Sequence, residues 1–206
     1  MSYKDYQFNN ENATYAHNYI SMPLLKIIAE KKGRVILDLG CGNGWLVNYL
    51  IEKGFDAYGT DASASGIEIA KRKNANRFFI QDLSSDDLPW DLKSISFNTI
   101  ISTEVIEHLY APKEYLDFCK KILDKNGGGE LILTTPYHGY LKNLMLAISG
   151  KMDKHFTALR DGGHIKFWSK KTLSNLLQEK GFTDIKFTGC GRLPYLWKSM
   201  MISCKM

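Results

Sequence analysis

An apolar run, RVILDLG, ends in Asp38-Leu39-Gly40-Cys41-Gly42-Asn43-Gly44 and passes directly into the helical pattern WLVNYLIEKG. A short apolar run stopped by glycines reads as a buried strand, and apolar residues at three- and four-residue spacing read as a helix. Three alternating glycines between the two demand a tight turn with little room for side chains. A strand entering a helix through such a turn is the opening of a βαβ unit, which restricts the chain to a sheet covered by helices.

The rest of the sequence continues the alternation. DAYGTDAS, NRFFIQD, SFNTIIST and ELILTTP are further strands, with helices at SGIEIAKRK and from Pro112 to Lys125. The helix SKKTLSNLLQEKG follows, with Ser169 as N-cap and Gly181 just past its end. TDIKFTG and KSMMISCKM close the chain with no helix between them, so the final strand is expected to run antiparallel. The fold class is therefore α/β, Rossmann-like: a seven-stranded, mostly parallel sheet with helices on both faces and an antiparallel last strand. One domain over 1–206 is expected, with an N-terminal cap helix in 1–32, a core in 33–136, an insertion in 137–168, and a C-terminal helix with two strands in 169–206. Pro23 is expected to break or restart the N-terminal helix.

Charge divides the chain unevenly. Residues 1–139 hold 15 Lys and Arg against 18 Asp and Glu, whereas residues 140–206 hold 12 against 4, a local net of +8. Such an excess suits an acidic ligand, an anionic surface or simply a solvated face. Cys41, Cys119, Cys190 and Cys204 are scattered without a C-x-x-C pair, the pattern of reduced thiols in a cytoplasmic protein. No apolar run is long enough to span a bilayer, and the polar start MSYKDYQFNNEN is unlike a signal peptide.

Open α/β sheets bind ligands beyond the carboxyl ends of their strands. Asp61 ends the second strand, 17 residues after Gly44, where a carboxylate can accept from ribose hydroxyls. Asp82 ends the third strand and suits an exocyclic amine. The dinucleotide fingerprint G-x-G-x-x-G would need glycine at 45, where the chain has Trp45. Asp38 would also repel a pyrophosphate. A ligand with a cation and no phosphate fits better, and S-adenosylmethionine, with its sulfonium and amino group, is such a ligand.

The ordered segments VILDLGCGNGWLVNYL, YGTDASASGIEIAKRK, FIQDL, FNTIISTEVIEHL and KNGGGELILTTP resemble class I S-adenosylmethionine-dependent methyltransferases, strongly over 34–136 and more loosely elsewhere. The chain is also loosely similar to the ubiquinone-pathway O-methyltransferase group within them. The resemblance implies that Gly40, Cys41, Gly42 and Gly44, with Asp38, line the methionine and ribose moieties. It implies that Asp61 holds the ribose and that Ala62, Asp82 and Leu83 surround the adenine. Thr103 or Glu104 would lie beneath the sulfur, and S-adenosylhomocysteine would be the product.

Methyl transfer from a sulfonium is an in-line displacement in which alignment supplies much of the rate. A hydroxyl acceptor additionally needs a base or a metal. In Glu104-Val105-Ile106-Glu107-His108, a helical turn would place positions 104, 107 and 108 on one face. His164, in GGHIKFW, could join them. The expected catalytic residues are Glu104, His108 and His164; a divalent ion held by Glu104, Glu107 and His108 and completed by His164 is the less favoured alternative. A metal-assisted RNA 2′-O-methyltransferase, whose family shows a similar E-x-x-E-H, is the alternative. His17, His138 and His155 read as surface or loop residues, although His138 follows the fifth strand and could face the pocket.

The insertion should select the acceptor. In Tyr140–Ile148 the residues Leu141, Leu144, Met145 and Ile148 form an amphipathic stripe, expected to be a core or lid face. Lys142, Lys151, Lys154, Arg160 and Lys166 accompany it, which leaves contact with an anionic membrane open. The expected partner is a small-molecule or lipid-like acceptor, acidic in character, rather than a nucleic acid.

Overall fold

Parallel strands that are apolar on both faces need helices on both sides, and the chain supplies them. The computed structural model describes residues 5–156, 159 and 162–206. Among these, seven strands form one sheet: β1 (Val35–Leu39), β2 (Asp56–Asp61), β3 (Phe78–Ile80), β4 (Thr99–Thr103), β5 (Glu130–Pro136), β6 (Thr183–Cys190) and β7 (Ser199–Lys205). Their order is β3-β2-β1-β4-β5-β7-β6. β1 to β5 are mutually parallel, and β7 is antiparallel to both β5 and β6. The reversed last strand is the one expected from the missing connecting helix. Chain order changes direction between β1 and β4, so the ligand crevice of such a sheet opens there.

Alternate residues of the central strands feed two cores. Leu37, Ile100 and Leu131 face α4 (Pro112–Asp124) and α7 (Lys170–Glu179), while Ile36, Ile101 and Ile132 face α1 (His17–Ala29), α2 (Trp45–Glu52) and α3 (Ala64–Ala70). Ser169 caps α7 through a reciprocal pair with Thr172, and Gly181 follows it at φ +87°.

One expectation about a helix fails. Pro23 does not interrupt α1, which runs continuously across it. Ile20, Leu24 and Ile28, at four-residue spacing on either side of the proline, are all fully buried, and that packing outweighs the hydrogen bond Pro23 cannot make. In α5 (Tyr140–Ile148) the apolar stripe turns outward. Leu141, Leu144, Met145 and Ile148 are all exposed, and the buried residue of this helix is Lys142. A short helix, α6 (Met152–Phe156), follows it.

Candidate active site

The glycine turn is built from its backbone. Gly40 and Cys41 both donate N–H bonds to the Thr60 carbonyl, at 2.8 and 2.9 Å, tying the end of β1 to β2. Gly44 begins α2 at φ +73°, and a Cβ there would lie 2.3 Å from that of Ala70. Only glycine satisfies both the left-handed backbone and that contact. Cys41 offers the crevice no side chain: its thiol is packed beneath the turn against Gly59, and burial holds it well above the usual thiol range.

Asp61 is held by two backbone donors, Gly42 N–H to Oδ2 and Ser63 N–H to Oδ1, both at 2.7 Å. Burial raises its pKa, and these two bonds oppose the rise. Asp38 is 1% exposed and neither of its oxygens meets a donor among the described residues. Burial, and then the charge of Asp61, push Asp38 well above the carboxylate range. A buried carboxyl without a partner, beside a second acid, is an environment that a cationic ligand relieves. Ala62 follows Asp61 directly. Asp82 is exposed and accepts from Ser84 N–H at 2.9 Å, while Leu83 is half-buried at the edge of the core.

Across the switch point, the residues after β4 are arranged differently from the helical turn expected. Thr103 ends the strand opposite Thr134, and Glu104 adopts φ +56°, a left-handed backbone unusual for a side chain of this kind. Only Ile106–His108 make a turn, of 3-10 type. Glu104 therefore stands outside the convergent Glu107, His108 and His164 group, although its charge still reaches Glu107. Glu104 accepts from Thr134 Oγ1 at 2.9 Å and from Ser199 Oγ at 3.2 Å. Part of its side chain reaches solvent, yet dense packing around the carboxyl raises its pKa to about 7, against those two hydrogen bonds and the charge of Lys142.

The group that does converge is Glu107, His108 and His164, whose ligand atoms all lie within 4.8 Å of one another. The Glu107 carbonyl brings them together by accepting from Ile165 and Lys166 N–H, at 2.9 and 3.0 Å, which seats the GGHIKFW segment on the turn. His108 Nδ1 lies 2.9 Å from the Gly162 carbonyl. A carbonyl can only accept, so Nδ1 carries the proton and Nε2 presents a lone pair. That Nε2 is 3.8 Å from Glu107 Oε1. Glu107 is 1% exposed, meets no donor among the described residues, and is pushed far above the carboxylate range by burial and by Glu104. A protonated carboxyl or a divalent cation would each satisfy this arrangement.

Several residues here have other roles than the sequence suggests. His138 is buried, stacked on Phe156 and edge-on to Phe167, with burial lowering its pKa to about 4. His155 packs beside it at 5.4 Å. His17 is no surface residue either: it is buried against Trp45, accepts from Thr14 N–H, and has a pKa lowered to about 4 by burial. Lys142 is 6% exposed, donates to the Lys198 carbonyl at 3.1 Å, and has its pKa lowered to about 8 by desolvation. The polar N-terminal segment forms a strap over the glycine turn. Asp5 accepts from Ser63 Oγ, Ser65 Oγ and Ser65 N–H, and Asn43 Nδ2 donates to the carbonyls of Asn10 and Asn12. No periodicity in residues 5–12 signals this role. Arg160 lies outside the described residues.

The fold and glycine turn can now be compared with known proteins. A family model described as a methyltransferase domain matches residues 13–186. The chain belongs to that methyltransferase family. It is an enzyme that uses S-adenosylmethionine, with the Rossmann-like fold of its class. The ubiquinone biosynthesis O-methyltransferase of Roseobacter denitrificans is 28% identical over 171 residues, covering 81% of this chain and 66% of its own length. The methyltransferase thus spans slightly less than two thirds of that relative. Among solved structures, the PH0226 protein of Pyrococcus horikoshii superposes with a TM-score of 0.68 at 17% identity, covering 96% of this chain and 93% of its own. The magnesium protoporphyrin IX methyltransferase of Synechocystis, solved with bound S-adenosylhomocysteine, gives 0.63 at 18% identity, covering 90% and 81%. At such identities the likeness concerns the fold.

Proposed function

We propose that this methyltransferase acts in the cytoplasm on an oxygen of a small-molecule or lipid-like acceptor that carries an acidic group. One observation carries the reading: Glu104, hydrogen-bonded to Thr134 and Ser199, and buried Lys142 meet electrostatically at the carboxyl edge of β4 and β5, with pKa values moved to about 7 and about 8. Neutral pH lies between them, so proton acceptance by one and positive charge on the other coexist there.

On this reading Gly40, Gly42 and Gly44 hold the methionine and ribose moieties by close backbone approach, with Cys41 contributing only main chain. Asp61 takes the ribose hydroxyls, Asp38 faces the cationic groups, and Ala62, Asp82 and Leu83 border the adenine. Thr103 lies under the sulfur. The bound cofactor supplies a methyl carbon activated by its sulfonium. Glu104, or His108 through Nε2, takes the proton from the acceptor hydroxyl, while Lys142 favours the ionised oxygen or an acidic group beside it. His164 orders the turn that presents His108.

The test is incubation with methyl-labelled S-adenosylmethionine and separate lipid, polar-metabolite and RNA extracts. Label as an O-methyl ether or ester in the first two supports the proposal, and label confined to nitrogen or RNA refutes it. A second reading, metal-assisted RNA 2′-O-methylation, is favoured by the Glu107, His108 and His164 convergence. It requires that EDTA abolish transfer and that Mg²⁺ or Mn²⁺ restore it. It also requires RNA binding that weakens steeply with salt.

A further inference from the structure

Helices on a globular body turn their apolar face inward, and α5 does the opposite. Its Tyr140, Leu141, Leu144, Met145 and Ile148 are 84, 42, 40, 48 and 71% exposed, whereas Lys142 is buried. The bond from Lys142 Nζ to the Lys198 carbonyl fixes this orientation. It also sets α5 beside the 191–198 loop, where Leu193 and Tyr195 are 72 and 63% exposed. The helix and the loop joined by that bond both carry exposed apolar residues. Exposed Lys151 and Lys154 follow α5 directly, and exposed Arg192 lies in the loop.

We infer that this face docks on an anionic lipid bilayer, with α5 lying in the plane of the interface. At nine residues α5 is far too short to cross a membrane, and no helix among the described residues is long and apolar enough to do so. Charge selects the occupant. Exposed Lys151, Lys154 and Arg192 flank the apolar residues, with Asp153 their acidic neighbour. Anionic headgroups attract such a surface, whereas a second copy presenting the same face would repel it. The inference rests in part on the lipid-like acceptor proposed above. His138 and Gly139 lead directly from β5 into α5, so docking would set the acceptor side of the crevice against the lipid.

The experiment is co-sedimentation of the full chain with vesicles of phosphatidylcholine alone or mixed with phosphatidylglycerol, with cofactor affinity measured on the same preparations. Binding should require phosphatidylglycerol and weaken with salt. Leu144→Glu with Met145→Glu should reduce it more than about tenfold, since two apolar side chains lose their burial. Lys151→Glu with Lys154→Glu should reduce it severalfold, and both variants should bind S-adenosylmethionine as wild type does. Equal binding to both vesicle types, or binding that survives the glutamates, overturns the inference. So does a concentration-dependent dimer that the same glutamates disperse. If the chain docks but no lipid gains a methyl group, docking stands and the lipid-like acceptor falls.

Discussion

The two halves of the crevice solve opposite electrostatic problems. On the side proposed for the cofactor, Asp61 is fixed by two backbone N–H groups, the glycine turn is tied to Thr60, and the strap binds through Asp5 and Asn43. On the acceptor side, ionisable groups are buried with few partners: Glu107 and His138 meet none through their side-chain polar atoms among the described donors and acceptors, and Lys142 has one carbonyl. The first half is preorganised by backbone for one ligand. The second stores unsatisfied groups that a variable acceptor, a proton or a cation can use.

Substituting glycines tests the preorganised half most severely. Gly44→Ala forces a Cβ to 2.3 Å from Ala70 in a left-handed backbone, whereas at Gly150, also at positive φ, a Cβ meets nothing within 4 Å. We expect Gly44→Ala to cost about 3 kcal/mol and lower Tm by roughly 6–12 °C, against about 1 kcal/mol for Gly150→Ala, measured by calorimetric melting. Equal losses would remove the distinction between a packed turn and an open one.

The acceptor half should respond in rate rather than stability. Lys142→Met replaces a desolvated cation with a chain of similar length, so Tm should hold or rise while kcat/KM falls about ten- to a hundredfold. The wild-type rate should rise as Glu104 loses its proton near pH 7 and fall as Lys142 loses its own near pH 8. Lys142→Met should abolish the alkaline fall and keep the acid limb. The stability signs also differ. Glu104, with its pKa raised from 4.5, loses stability as pH climbs towards 7, whereas Lys142, lowered from 10.5, gains stability as pH climbs above 8.

The smallest effect belongs to the strap. Ser65→Ala removes the Phe8 N–H and Asp5 contacts at its hydroxyl but leaves those of Ser63 and Asn43. Cofactor dissociation in stopped flow should accelerate only about two- to fivefold. A change above fiftyfold would make the strap a principal cofactor ligand.

The same contrast explains what could be read from sequence. Parallel strands buried on both faces leave uninterrupted apolar runs, and a glycine turn between strand and helix leaves a fixed spacing, so β1 to β5 and the positions of Asp38 in β1 and Asp61 at the end of β2 were legible. An amphipathic stripe shows that one face is apolar without saying which face meets the body, so the inversion of α5 about Lys142 was not. The left-handed backbone of Glu104 takes its carboxyl to Thr134 and Ser199 instead of into the Glu107, His108 and His164 group, a break that helical spacing cannot foresee. Pro23 misled because a local penalty was weighed without the packing of Ile20, Leu24 and Ile28. The strap works through single polar contacts, which leave no period to detect.

The most direct test is titration calorimetry of S-adenosylmethionine against wild type, Asp61→Ala and Asp82→Ala. Asp61 accepts two backbone bonds at the turn, while Asp82 is exposed with one local partner. The account predicts about a hundredfold weaker binding for Asp61→Ala and less than about tenfold for Asp82→Ala. Unchanged affinity in Asp61→Ala would contradict the placement of the cofactor at the glycine turn.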